Sequence, residues 1–361
     1  MAHLIARKKA ASNASNASNA SSMKSNSATF KTPSDQMSLG DLSAPYRDSR
    51  YESVLEFYGS MMKKSDLDIT AISKTLCRTL LETEQPVPKN SLFDDDIFES
   101  ACQAIRGQNE ARIAQDIGQL IVPSAVILAI RGAKHLNILT ESVHEGWNNS
   151  IPLYGARPQP DYSVGFRRDA FTKDQLIKLS PFIGDFTSGD QSFFMATYYM
   201  YFPFLTCEVT SQDQLTVADR QNAHSMTLAV RAIVELFRGV KRESEVHRQI
   251  LAFSISHDDS AVRIYGHYPV IDGKDTKYYR HPIHEFFIAA AGGREKWTAY
   301  RFTKNVYDTW IPAHFKNICS AIDQLPSDSD TDVPARSEAA GLPQDLGKPD
   351  VVECQLRFRA C

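Results

Sequence analysis

Long apolar runs are missing from this chain of 361 residues. None approaches the roughly 18 to 20 residues that a bilayer-spanning helix needs, so a soluble chain with no membrane partner is expected. Charge of one sign is missing too: the formal net charge is −3. The total therefore announces no polyanion binder, although a local basic groove can hide inside a neutral sum. Cysteine is sparse and scattered. Cys77, Cys102, Cys207, Cys319, Cys354 and Cys361 include no Cys-x-x-Cys pair, and no secretory signal precedes them. That spacing excludes a cysteine zinc site or disulfide framework and points to a reducing intracellular compartment. Nucleotide-binding glycine patterns are also absent. There is no Gly-x-Gly-x-x-Gly and no Gly-x-Ser-x-Gly, and the glycines between Gly266 and Lys274 are too far apart for a phosphate loop.

Acid is missing from the first 34 residues, which carry Arg7, Lys8, Lys9, Lys24 and Lys31 among many Ser and Ala and an Asn-Ala-Ser repeat. A disordered basic tail over 1–44 is the expectation, with nuclear delivery favoured and mitochondrial delivery the alternative. Residues 45–108 read as a helical N-terminal region. Tyr51, Val54, Leu55 and Tyr58 share one helical face, and Ile69, Ile72, Leu76 and Leu80 share another. A folded domain is expected over 109–325 and a second flexible tail over 326–361, where Ser, Asp, Pro and Gly dominate.

Within 109–325 the periodicity changes twice. Asn109–Ile121 is helical, with Ile113, Ala114, Ile117, Leu120 and Ile121 in one stripe and Glu110 at its start. Glu110 has two readings: a carboxylate on a buried face that needs a cation, or an ordinary acid at a helix N-terminus that suits the dipole. Asp161–Phe166 then alternates as a strand. The aromatic-rich segment 192–210 ends in a second strand carrying Glu208, and 216–238 is a helix. Residues 249–268 form a hairpin turning at Asp258-Asp259-Ser260, 278–288 a further strand, and 307–325 a helix. The expected class is α/β: a mixed central sheet flanked by helices.

The residues with chemistry to offer are Asp161 and Glu208. Glu208 and Thr210 project to one face of an extended strand, while Cys207 and Val209 point away. If the Asp161 strand runs beside it, two carboxylates meet at a sheet edge, where they can hold a hard divalent cation and activate water. Setting Met226 on the buried stripe of the following helix puts Asp219 and Asn222 toward the core-facing side and Gln221 and His224 opposite. Asn222 is then the better placed polar residue, and a helix-capping role is the alternative. His281 and His284 fall on opposite faces of a strand, so a structural role is expected for both. The run of aromatics from Phe193 to Phe204 is read as packing before base stacking.

Glu110 on a helix, Pro160-Asp161 opening a strand and Glu208-Val209-Thr210 ending the next resemble the PD-(D/E)XK nuclease-like fold. The strings Pro160–Phe166, Phe204–Val209 and Ala218–His224 resemble an uncharacterised fungal family with that fold, over roughly Glu110 to Leu325. The resemblance implies a restriction-endonuclease-like domain with a helical N-terminal extension. It implies Mg²⁺, or Mn²⁺, held by Asp161, Glu208 and the Val209 carbonyl, with Glu110 in support. It also implies DNA or RNA phosphodiesters as substrate, contacted by Arg220 and by Gln221 or Asn222. Arg167, Arg168, Lys241 and Arg242 are further candidates for phosphate contact. Thr210 stands where the family carries a lysine, and threonine supplies a hydroxyl but no positive charge. Arg220 is the nearest cation in sequence that could replace it. Two functions stay open: a metal-dependent nuclease, and a catalytically inactive member that binds nucleic acid or protein. Oligomeric state is not read from the sequence.

Overall fold

The alternating segment Tyr162–Phe166 and the apolar run ending at Val209 become neighbouring antiparallel strands of a seven-stranded sheet. The structure, a computed structural model, describes residues 1–8, 45–185, 189–211 and 214–326. Its strands are β1 (Ser60–Met61), β2 (Leu139–Val143), β3 (Tyr162–Phe166), β4 (Tyr201–Val209), β5 (Ala252–His257), β6 (Ala261–Asp272) and β7 (Asp275–Phe287). The helices are α1 (Tyr51–Phe57), α2 (Ala71–Glu82), α3 (Phe98–Ile105), α4 (Glu110–Ile121), α5 (Ala125–Ile130), α6 (Lys173–Ile183), α7 (Leu215–Gly239), α8 (Thr298–Asn305) and α9 (Ile311–Ile322). Strand order is β1-β7-β6-β5-β4-β3-β2; β1–β7 and β4–β5 are parallel, the remaining pairs antiparallel. This is a mixed α/β sheet.

Parallel neighbours need a long crossover, and α7, at 25 residues, supplies it between β4 and β5. Its Asn222 reaches Ser256 of β5, whereas Phe253, of opposite parity on that strand, packs against Phe302 of α8 and Trp310. Helices therefore cover both faces. Phe204, Leu205, Phe253, Ile255, Ile264, Val230 and Val234 are all fully buried between them. At roughly 1.5–3 kcal/mol for each such side chain, this core makes the centre of the sheet a stiff platform.

Pro203 lies inside β4, where a missing N–H would break a ladder. The sheet absorbs it in a bulge: Val164 pairs with Leu205 but Phe166 with Tyr201. Gly165 sits opposite, where an added Cβ would lie 2.9 Å from the Tyr201 carbonyl oxygen. The glycine is required by that close approach.

Several elements differ from the sequence reading. Ile72 is 73% exposed, and α2 instead buries Ser73, Cys77 and Leu80. The cause is polar: Thr70 caps the helix, and the Thr70 and Ser73 hydroxyls both donate to Gln249, which rotates the stripe. Strand β2 and helix α6 were not expected, the aromatic segment becomes a strand only from Tyr201, and the C-terminal helical stretch begins at Thr298. Leu4 is fully buried, and Arg7 bridges to Gln191, so the first residues dock onto the fold. Of the tails expected over 1–44 and 326–361, residues 9–44 and 327–361, with Cys354 and Cys361, lie outside the described residues. Residues Met1–Leu325 form one compact unit. The region 45–108 contributes β1 to the sheet edge and α2 to the helical layer against α8. Among the described residues no helix is long and apolar enough to cross a membrane.

Candidate functional site

Tyr162 pairs with Cys207 across β3 and β4, and one further step in that register sets Asp161 opposite Glu208. The two acids meet at the carboxyl end of β4. Asp161 Oδ2 accepts from the Val209 N–H at 2.8 Å, and the Asp161 N–H faces Glu208 Oε2 at 3.4 Å. On the other side His144 Nδ1 lies 3.1 Å from Asp161 Oδ1, and the His144 N–H donates to the Asp161 carbonyl at 3.0 Å. His144 holds φ at 51°, a left-handed conformation that costs a non-glycine residue energy and is tolerated where the surroundings enforce it. Its hydrogen bond to Asp161 raises the imidazole pKa above the usual value, against an opposing effect of burial.

Glu208 is 1% exposed. Burial first, and the neighbouring Asp161 charge second, push its carboxyl pKa well above the usual carboxylate range, with Glu110 adding to the effect. Among the described residues no lysine or arginine pairs with it. Two carboxyl groups this close, one of them out of water, make the ionised form of Glu208 costly unless a cation joins it.

The pair separates two cavities. A cleft of about 420 Å³ is lined by Glu110, Asp161, His144, Thr210, Gln221 and Arg47, among others. A pocket of about 180 Å³ lies on the Glu208 side, walled by Tyr46, Tyr51 and Tyr154. Gln159 and Gln221 border both. Glu110 is the first residue of α4, capped by Asn109, and is exposed on the cleft rim, so a helix-start position and a site-facing position coincide. Thr210 is buried with its Oγ1 unpartnered on the cleft wall.

Other expectations are corrected. Asn222 does not face the cleft: it accepts from Thr206 and donates to the Ile255 carbonyl and Ser256. Gln221 faces it instead. Helix α7 is buried on nearly every side, and from Val217 to Val230 only Gln221 keeps partial exposure, so no single apolar stripe sets the phase. Arg220 is not the substitute cation either; its Nε donates to the Tyr46 carbonyl at 2.7 Å and it is absent from the cleft wall. What it holds in place is the segment carrying Arg47, whose exposed side chain lines the cleft. Arg167 and Arg168 follow β3 at the end of the sheet away from Asp161. Lys241 and Arg242 follow the C-terminus of α7, a full helix length from the site. Arg167 pairs with Asp169 and Arg242 with Glu245. His284 bonds Glu295 and His281 lies 3.4 Å from Asp68, on separate partners. Phe194, Tyr201, Phe202 and Phe204 are core.

The sequence reading missed Arg47, His144, Gln159 and the three tyrosines. Proline on both sides of Gln159 was the one local signal; Arg47 follows the low-complexity tail directly, and nothing in its surroundings marks it.

No group of three His, Cys, Asp or Glu side chains among the described residues is arranged to hold a metal ion. The donor set at β4 nevertheless suits Mg²⁺, which takes one or two carboxylates and keeps several waters. Two carboxylates are side by side, and the unpartnered Thr210 hydroxyl offers a further oxygen. The Val209 carbonyl lies on the same strand edge as its N–H, which already meets Asp161.

A family model described as Domain of unknown function (DUF7924) matches residues 97–322. The chain belongs to that family. Glu110, Asp161, Glu208, Thr210 and Gln221 fall inside the DUF7924 match, whereas Tyr46, Arg47 and Tyr51 precede it. Neither the curated proteins nor the solved structures searched gave a match.

Proposed function

We propose that this DUF7924 chain is a metal-dependent phosphodiesterase acting on DNA or RNA, built on a restriction-endonuclease-like sheet of the PD-(D/E)XK kind. The observation that carries the reading is Glu208: a carboxyl buried beside a second carboxylate, with no protein cation to offset it. Asp161, Glu208 and the Val209 carbonyl would hold Mg²⁺ or Mn²⁺. When bound, such an ion polarises the phosphate and lowers the pKa of a water. The Thr210 hydroxyl and the Gln221 amide orient that water and the substrate from the cleft wall. Arg47 supplies, from outside the family-matched residues, the positive charge that Thr210 does not.

A second reading follows from Thr210: a chain that binds nucleic acid through the same cleft without cutting it. Labelled single- and double-stranded oligonucleotides, incubated with Mg²⁺ or Mn²⁺, separate the two. The nuclease reading expects metal-dependent cleavage that Asp161→Ala and Glu208→Ala each abolish. Binding without cleavage in the parent chain, followed by gained cleavage in Thr210→Lys, would establish the second. Cleavage that survives both acid substitutions would overturn the first.

A further inference from the structure

Behind Glu208 lies the pocket of about 180 Å³ that the phosphodiesterase reading leaves without a role. Its walls are aromatic. Tyr46 and Tyr51 meet edge to face at 4.7 Å, and Tyr154, stacked at 4.9 Å on Tyr58, adds a third ring to the lining. The first wall is rigid. Burial raises the Tyr46 phenol pKa well above the usual range and lowers the buried His224 to about 4. The phenol therefore stays protonated and donates to the neutral imidazole Nδ1 at 2.8 Å. Arg220 fixes the same residue through its carbonyl. Tyr154, by contrast, is 47% exposed on a surface loop.

The polar groups are few and lie on the side nearest the acids. The Gln221 amide has no side-chain partner among the described residues and borders both cavities. Gln159 donates its amide N–H to the His144 carbonyl, leaving its own carbonyl oxygen to accept. A flat group carrying both donors and acceptors would find tyrosine rings to pack on and two amides to bond. It would also touch Glu208, one residue from the group reacting in the cleft.

We propose that this pocket receives one unstacked nucleobase next to the scissile phosphate, so that the substrate is single-stranded nucleic acid or a frayed end. The proposal rests on the phosphodiesterase reading for its substrate class. A base must leave its stack to enter a recess of about 180 Å³, and base–aromatic stacking tolerates any base because every base has a π-face.

The test is fluorescence anisotropy with a short labelled single strand, its blunt duplex, and the same strand made abasic at successive positions, in Ca²⁺ or without metal so that cleavage does not intrude. The parent chain is expected to prefer the single strand over the duplex and to lose affinity for a strand lacking the inserted base. Tyr154→Ala is expected to weaken single-strand binding by about 5- to 100-fold, with Tyr154→Phe close to the parent because the ring stacks and the hydroxyl does not. Equal binding of abasic and intact strands by the parent, or unchanged binding by Tyr154→Ala, overturns the proposal. If the chain cuts nothing but still prefers bases in a Tyr154-dependent way, the pocket stands and the phosphodiesterase reading falls. Metal-dependent cleavage with no preference for unpaired bases gives the converse.

Discussion

Asp219 on helix α7 and Glu208 on the strand before it are both buried acidic side chains, and the protein treats them in opposite ways. Asp219 is surrounded by compensation: Arg263 at 3.1 Å, Arg280 at 3.7 Å, and hydroxyl donors from Ser256 and Tyr265. Glu208 has a long contact to one backbone N–H and a second carboxylate beside it. The first arrangement is complete in itself and explains a stable strand–helix junction. The second needs a proton or a cation to offset its charge. A fold that satisfies one buried acid this fully, yet leaves another without such partners beside a pocket, makes the second the candidate site residue.

The contrast can be broken most sharply at Asp219. Asp219→Ala removes the buried carboxylate that Arg263 and Arg280 share, leaving them Glu285 and the Met62 carbonyl, and urea denaturation is expected to show a loss of about 3 kcal/mol. Mg²⁺ should act only through the other acid. At a hundred times its Kd a ligand adds about 2.7 kcal/mol to the folded state, so thermal melts of the parent should rise with Mg²⁺ while those of Glu208→Gln do not. A smaller effect of opposite sign is expected without metal, where Glu208→Gln stabilises the chain by on the order of 1 kcal/mol. Its pH dependence follows from the raised pKa. Above the ordinary carboxyl pKa the folded state still holds a proton that the unfolded state has released, so stability declines as pH rises toward the raised value. Replacing Glu208 removes that decline, and the gain should be larger at pH 8 than at pH 4. A pH-independent gain would show that Glu208 is not protonated in the fold. The smallest effect is at Arg47. Its loss should lower the slope of log affinity against log salt by about 0.7 for a single strand, read by anisotropy.

Much of the sheet was legible because strand parity is a local property. Alternation through Tyr162–Phe166 and the turn at Asp258–Ser260 gave β3, β5 and β6 their places, whereas Glu208 and Thr210, assigned to one side by parity, line different cavities. Helix phase was less dependable. Ile72 turned outward because two hydroxyls and Gln249, 176 residues away from Ser73, decide the rotation of α2. Asn222 and Gln221 exchanged roles because α7 is enclosed, so its apolar residues no longer mark one face. The short edge strand β2 and the tyrosine wall left no periodic trace. Tyr46 and Arg47 reach the site only through Arg220 and His224, 174 and 178 residues from Tyr46. No window of sequence contains such contacts.

Strand β1 pairs with β7 through Ser60 and Met61, both of them ahead of the stretch that defines the family. A truncated chain begun at residue 97 would thus lose more than a tyrosine wall and an arginine. Its longest strand would present an unpaired backbone edge, an invitation to self-association that the whole protein blocks with two residues. Insolubility of such a fragment is expected from that bare edge together with the core left uncovered by the loss of Ile69, Leu80 and Phe93.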